Sequence, residues 1–273
     1  AAMIRGVDWG FSAHARDIFT IPAWEKREKI AHARFGLVCN EPGFRALAAL
    51  SDREGKVEKV YHGLDLRRFP PPAEPPPPRD GSDVENAVRF VSIGRLVEKK
   101  GYADLLDALA DLPRTLRWRF VHVGGGPLRD QLEARARRLG IEGRIEWRGA
   151  AAQAEVLAAL REGDVFVLAA RVARDGDRDG LPNVILEAAS QELAIVATRV
   201  GAIQDFVMHK VTGVTVPPGK TAHLTEALQH LARDPAERRR LGLAARQRLV
   251  EQFDMEDGAE RVASRLAAAL ERA

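Results

Sequence analysis

Cysteine is almost missing: Cys39 is the only one in 273 residues. No intrachain disulfide can form and no thiolate cage for zinc can be built, a count that fits a cytoplasmic protein. Long apolar runs are also missing. None approaches the ~20 residues of a membrane span, and no basic-then-apolar signal segment opens the sequence. An excess of one charge is lacking too. Lys and Arg number 42 against 39 Asp and Glu, a formal charge of +3. Nucleic-acid binding needs a concentrated basic patch, and the composition does not supply one. What is present is a globular profile, 45% hydrophobic and 30% charged, which excludes wholesale disorder. The length predicts two domains.

The small charge excess is unevenly placed. Residues 1–69 hold 12 Lys/Arg and 9 Asp/Glu, whereas the remaining residues balance at 30 each. Either this is an ordinary solvated surface, or a face of the N-terminal piece turns towards an anionic membrane or a phosphorylated acceptor. Residues 70–78 read PPPAEPPPP and carry seven of the 15 prolines. Such a tract builds neither a helix nor a central strand and reads as a linker. The expected division is 1–69, a linker over 70–87, a domain over 88–253, and a last helix within 254–273.

After the linker, short apolar runs alternate with amphipathic stretches. The runs fall at 88–94, 118–124, 144–149, 164–169, 194–198 and 214–217, with helical patterns such as Tyr102–Leu112, Leu128–Leu139 and Val156–Arg161 between them. Near-continuous apolar strands alternating with helices predict a doubly wound parallel sheet, an α/β fold in which ligands sit beyond the carboxyl ends of the strands. The N-terminal piece shows three strand candidates, near Trp9–Ala13, Phe35–Cys39 and Val57–Tyr61, and helical patterns at Trp24–Arg34 and Pro42–Leu50. It reads as the second half of another α/β domain, and the sequence is expected to be a fragment or a truncation. The chain closes in helices over Pro235–Gln252 and Glu256–Glu271, the first with Asp234 as its N-cap and Pro235 at its first position.

The strand ends carry the chemistry. Gly94 lets the backbone approach a ligand, and Arg95 and Lys100 are either solvated cations or a pair suited to a diphosphate. Gly124 and Gly125 open GGGPL, with Pro127 early in a helix: a tight turn or a phosphate contact. It is not a dinucleotide fingerprint, because Arg129 stands where the third glycine belongs. In RVARDGDRDGLPNVILEA, Gly180 permits close approach and Pro182 pre-sets a helix whose Asn183, Val184 and Ile185 amides are free. Asp179 and Glu187 lie eight residues apart in the same stretch. Gly201 again follows a strand. His14 follows the first strand candidate, and a lone histidine there is more often a structural donor than a catalytic group.

In order, SAHARD, YHGLDLRRF, GRLVEKKG, GGGPL, DGLPNVILEA and VTGVTVPP make the chain resemble the retaining glycosyltransferases of family 4, closest to the branch of colanic acid and other exopolysaccharide biosynthesis. The resemblance covers nearly the whole chain. It implies the GT-B architecture of two facing Rossmann-like domains, the first of them partial here. It implies a hexosyltransferase that binds a UDP- or GDP-linked sugar in the second domain and passes the sugar to a glycan or lipid-linked acceptor. Arg95 and Lys100 match the basic pair on the donor diphosphate. Asp179 and Glu187 match the two acidic positions that hold the donor sugar and the ribose. Gly180, Leu181 and Pro182 match the loop between, and His14 matches the histidine near the transferred sugar. Gly94, Gly124, Gly125, Arg148, Asn183, Val184 and Gly201 complete the expected donor site. Arg148 is the residue near which UDP and GDP contacts would differ. No cofactor and no metal is implied, and the location implied is the cytoplasm or the inner membrane face.

The chain departs from the family pattern in three places. Asp179 replaces the usual Glu and is one methylene shorter, so Asp175 or Asp177 could stand in. The loop before Asp179 is long and charged. Ala202 follows Gly201 where a second glycine is common. The competing readings are a sugar-nucleotide-binding module without transfer activity and another GT-B enzyme such as a sugar-nucleotide epimerase.

Overall fold

The computed structural model describes residues 8–74 and 77–270. Pro75 and Pro76 of the proline tract, and Glu271 at the end of the expected last helix, lie outside the described residues. Two parallel sheets organise the chain. The smaller contains β1 (Gly10–Ala13), β2 (Phe35–Val38) and β3 (Val57–Lys59) in the order β1-β2-β3. The helices α1 (Ala15–Phe19), α2 (Ala23–His32) and α3 (Glu41–Ala48) connect them. The larger contains β4 (Val88–Ile93), β5 (Trp118–Val123), β6 (Ile145–Trp147), β7 (Val165–Leu168), β8 (Ala194–Thr198) and β9 (Val214–Val216). Its order is β6-β5-β4-β7-β8-β9 with every neighbour parallel, the two-halved winding of a Rossmann-like domain. The chain crosses between these strands through α4 (Tyr102–Ala110), α5 (Arg129–Arg138), α6 (Gln153–Glu162), α7 (Asn183–Ser190) and α8 (Ile203–Phe206). Then α9 (Thr221–Arg233), α10 (Pro235–Gln252) and α11 (Met255–Leu270) close it.

The apolar runs form central strands because both faces are covered. Along β4, Val88 and Phe90 enter one core with Leu105, Trp118 and Leu228, whereas Val91 and Ile93 enter the other with Phe166, Ile185 and Leu249. Each such side chain contributes about 1.5–3 kcal/mol of burial, which outweighs the weaker β-propensity of any single position. Two polar side chains on β4 and β5, Ser92 and His122, are fully buried beneath the loop that follows β4.

The elements match the sequence expectation closely where capping and period agree. Asp234 caps α10, its side chain accepting from the Glu237 amide at 2.9 Å. Three details differ. Pro127 lies in the turn before α5, whose N-cap is Leu128, so it is not inside the helix. Pro182 is the N-cap of α7, and the Ile185 amide is not free but donates to the Pro182 carbonyl at 3.0 Å. The helix α9 was not anticipated. Its buried Leu224, Ala227, Leu228 and Leu231 do recur at helical spacing, and that signal was there to be read.

No helix or strand interrupts the described residues of 70–87, but the segment is docked rather than loose. The Pro70 carbonyl accepts from the Gln191 side chain at 3.0 Å. Arg79 is buried, with Nη1 at 3.2 Å from both oxygens of Asp164. Asp164 also accepts from the Arg89 amide at 2.8 Å, and Arg238 stands 3.7 Å away. This buried ion set ties the segment, the foot of β7 and α10 together.

The α11 helix leaves the larger sheet and packs on the smaller one. Leu64 and Asp254 form a one-residue parallel bridge, with the Leu64 amide donating to Phe253 at 2.9 Å. Val262 and Ala269 lie against Phe35, Leu37 and Val60, and Arg265 pairs with Glu58 at 2.8 Å. No helix among the described residues is long and apolar enough to cross a membrane.

Candidate functional site

Strand order decides where a ligand can sit. The chain leaves β4 towards β5 on one side, and β7 lies on the other, so the crevice beyond the carboxyl ends opens between β4 and β7. The loops after these two strands are laced together there. The Arg171 amide donates to the Lys99 carbonyl at 2.8 Å, and a Cβ on Gly101 (φ 66°) would collide with the Ala169 carbonyl. The third and fourth strand ends close in similarly. A Cβ on Gly124 would strike the Gly94 carbonyl, and one on Gly201 (φ 59°) would strike the Asp179 carbonyl. Glycine is required at these points because backbones touch where side chains would otherwise stand.

Beneath Gly94 the floor is aromatic. The His122 Nε2 lies 3.1 Å from the Gly94 carbonyl oxygen, and the ring meets Tyr102 edge-on at 4.6 Å between centroids. Burial pushes the His122 pKa down to about 4, so the ring is neutral and serves as a fixed hydrogen-bonding pillar for the loop. Above this floor stands Lys100. Its stem lies against Gly94, and its ammonium is 2.7 Å from an Asp179 carboxylate oxygen. Lys99 approaches Asp177 at 3.1 Å and Asp179 at 3.3 Å. Burial pulls the Lys99 pKa down, but Asp179 and Asp177 outweigh it and lift the value. Asp179 is the carboxylate shared by both lysines, whereas Asp177 meets only Lys99. Arg95 is exposed, and its guanidinium has no partner among the described residues.

Glu187 is the contrasting acid. It lies one turn into α7, and among the described residues its carboxylate has no hydrogen-bond or ion-pair partner. Burial alone raises its pKa. A partly desolvated carboxylate without a partner is a cost to the fold. With the folded pKa above the unfolded one, the cost is fully present above the raised value and vanishes below the ordinary one. Glu187→Gln is therefore expected to raise Tm by about 2–4 °C at neutral pH, a gain of order 1 kcal/mol, and to give no gain near pH 3–4. Thermal melts at the two pH values check this; an unchanged or lower Tm at pH 7 would contradict it.

Gly180, Leu181 and Pro182 lead from Asp179 into α7. The Gly180 carbonyl accepts from the Ala202 amide at 3.2 Å, so the residue after Gly201 braces the loop. The first α7 amides, those of Asn183 and Val184, have no intrahelical acceptor by geometry and lie at the same rim. The structure thus gathers Gly94, Lys100, Gly124, Asp179, Gly180 and Gly201 around the switch point. Gly125 joins them through its carbonyl, which accepts from Leu96 at 2.9 Å. Arg148 is engaged elsewhere. Its guanidinium pairs with Glu146 at 2.8 Å and Glu162 at 2.7 Å, and it lines a cavity of about 700 Å³ with Arg89 and Arg119.

His14 stands on the other sheet, exposed, immediately after β1. Its helix α1 reaches the crevice, because the Arg178 guanidinium lies 4.1 Å over the Phe19 ring. Two groups facing it were not anticipated, Cys39 and His62; the His14 and His62 rings are 5.0 Å apart. A third unanticipated residue, Asp205, holds the two layers together. It accepts from the Glu41 amide at 2.6 Å and from the Tyr61 hydroxyl at 3.4 Å. Asp205 and Glu41 stand 164 positions apart in the sequence, which hides this contact from any local reading.

Residues 79–248 match the family model described as glycosyl transferases group 1, well over half the chain. The chain belongs to that family. Among its relatives, the lipopolysaccharide core biosynthesis glycosyltransferase LpsE of Rhizobium meliloti (strain 1021) is 30% identical over 230 residues, 81% of this chain and 60% of LpsE. The amylovoran biosynthesis glycosyltransferase AmsK of Erwinia amylovora is 30% identical over 172 residues, 63% of this chain and 42% of AmsK. This member of the glycosyl transferases group 1 family therefore spans about half the length of those two relatives. Anabaena HepE, solved in complex with UDP, superposes with a TM-score of 0.81 at 20% identity, covering 98% of this chain and 74% of that one. That likeness places the two parallel sheets in the GT-B fold expected from the motifs.

Proposed function

We propose that this family member moves a sugar, with retention of anomeric configuration, from a nucleotide-diphosphate sugar to a glycan or lipid-linked acceptor in cell-surface polysaccharide biosynthesis, of the colanic acid and exopolysaccharide kind. The carrying observation is the crevice at the β4/β7 switch point, where Lys100 from one loop meets Asp179 from the other, with the half-buried Glu187, unpartnered among the described residues, on the helix that follows. Cleaving the anomeric bond leaves a negative diphosphate. Arg95, Lys100 and the Asn183 and Val184 amides would stabilise it. Glu187 would accept from the ribose hydroxyls and Asp179 from the sugar hydroxyls, while His14 would stand near the transferred sugar from the facing sheet. On this reading no metal ion and no protein nucleophile takes part, because the donor phosphate receives the acceptor proton on the same face. The proline tract would divide an acceptor side, residues 1–69, from the donor side.

The relatives' names support the polysaccharide setting, and the UDP in the HepE structure supports a nucleoside diphosphate as the ligand class. A cytoplasmic site of action at the inner membrane face is part of the proposal. The net positive charge of residues 1–69 and the 66% exposed Trp24 among the Lys and Arg residues of α2 support it. The test is a thermal-shift screen of UDP, GDP and their sugars, repeated with Arg95→Ala and Glu187→Ala. One nucleoside diphosphate is expected to raise Tm, by about 2.7 kcal/mol of stabilisation at 100 times its Kd, and both variants should lose most of that shift. No shift with any nucleotide, or shifts unaffected by both substitutions, would remove the assignment.

A further inference from the structure

We propose that His14, Cys39 and His62 form a binding site for a divalent ion of the zinc class, with three protein ligands and one open position. Nothing in the sequence spacing announces it. The three residues come from separate carboxyl ends of the smaller sheet: His14 directly after β1, Cys39 directly after β2, and His62 three residues after β3. Parallel packing of β1, β2 and β3 brings those ends side by side.

The geometry is close to what such an ion requires. One nitrogen from each ring and the Cys39 sulfur all lie within 4.8 Å of one another, and the His14 Nδ1 is 4.0 Å from that sulfur. Tetrahedral zinc takes nitrogen at about 2.0–2.1 Å and sulfur at about 2.3 Å, which sets its donors about 3.3–3.8 Å apart. The gaps therefore close by about an ångström, within reach of side-chain rotation for two exposed rings. The donor set is chemically selective. Two imidazoles and a thiolate suit zinc or copper and do not suit magnesium or calcium, which take oxygen.

The surroundings complete the site. Asn40 Nδ2 donates towards the Cys39 sulfur at 3.7 Å, while its own Oδ1 is held by the Gly43 amide at 2.8 Å as the cap of α3. A fixed donor beside a ligating sulfur is the kind of outer-shell support that metal sites carry. Asp205, whose Oδ2 accepts from the Glu41 amide and the Tyr61 hydroxyl, is not among the donor atoms that converge within 4.8 Å, so the fourth position is left to water or a small ligand. On binding, the Cys39 thiol gives its proton to solvent and the ion takes the thiolate.

Metal binding here does not depend on the glycosyl-transfer reading. Its consequence does: an ion held by His14 would withdraw that side chain from the crevice and inhibit transfer. The experiment therefore measures the metal alone. The chain is titrated with Zn²⁺ against a chromogenic chelator, and with Co²⁺ by absorption, in the absence of nucleotide. One Zn²⁺ per chain is expected, with a near-ultraviolet thiolate-to-Co²⁺ band. Cys39→Ser should abolish the band, and Cys39→Ser and His62→Gln should each weaken Zn²⁺ binding by at least about tenfold, the scale lost even when outer-shell partners are removed. His223→Gln, in the pocket beside β9, should change nothing. Stoichiometric Zn²⁺ binding that survives both substitutions, a band that persists in Cys39→Ser, or no binding by the wild-type chain would each overturn the proposal. Zn²⁺ binding without loss of transfer would leave the site standing and remove only its inhibitory role.

Discussion

Asp164→Ala should lower Tm by about 6–20 °C, the equivalent of 3–5 kcal/mol, while leaving nucleotide affinity per folded molecule unchanged. The argument rests on what would be left behind. Asp164 is almost wholly buried and is the shared counter-charge of Arg79 and Arg238, which are buried too. Burial raises the Asp164 pKa in spite of both arginines, and burial lowers that of Arg238. Assembling this ion set is therefore a cost to the fold. Removing the acid alone keeps the cost of two desolvated guanidiniums and deletes their compensation. Arg238 retains the Leu231 and Ala232 carbonyls at 2.6 and 3.0 Å and also the Arg79 carbonyl, whereas among the described residues the Arg79 guanidinium retains the Asn86 side chain at 3.0 Å. Exchanging all three residues for apolar ones should then cost less than removing Asp164 alone. Calorimetric melts of the single and triple variants decide this; a single variant that melts within 2 °C of wild type, on the order of 1 kcal/mol or less, would refute the ion-set account.

The second large effect is expected at Lys100. Lys100→Ala should weaken nucleoside diphosphate binding by about 10- to 100-fold, the loss of one charge-assisted contact of 1.5–3 kcal/mol. Transfer should fall by a further factor, up to about 10²–10³ overall, since the cation counts most where leaving-group charge develops. A purely structural role can be separated from this one. The Lys100 ammonium contacts Asp179 at 2.7 Å, so its removal also leaves that acid with Lys99 alone. If balancing Asp179 were all that Lys100 did, Lys100→Ala combined with Asp179→Asn would restore affinity. If Lys100 holds phosphate, the double variant should bind no better than Lys100→Ala. Isothermal titration of the two variants with UDP and GDP reads the difference.

Much of the fold was legible because the relevant forces are local. Six apolar runs became six strands, with 194–198 recovered to the residue. An Asp–Pro pair marked the start of α10 through the same capping bond found in the structure. The misses are local signals under-read or contacts no local signal carries. Helix α9 belongs to the first kind, with its stripe from Leu224 to Leu231. Asp205, Asp164 and the His14–Cys39–His62 group belong to the second. Each draws its meaning from partners on another strand or the other sheet, and residue type alone does not reveal them. Arg148 shows the converse. A plausible cation beyond a strand end was already neutralised by Glu146 and Glu162, which only side-chain packing could reveal.

Hydrophobic period, glycine and proline placement, and charge at the strand ends were enough to establish a wound parallel sheet carrying cations and acids on its rim. They were enough because each acts over one turn or one strand. Tertiary structure alone decided which rim residues share a crevice. The β6-β5-β4-β7-β8-β9 order sets the loop after β4 against the loop after β7, although 71 residues separate Ile93 from Val165. That juxtaposition is a non-local outcome of packing. It turns Lys100 and Asp179, from loops far apart in the chain, into one ion pair at the mouth of the crevice.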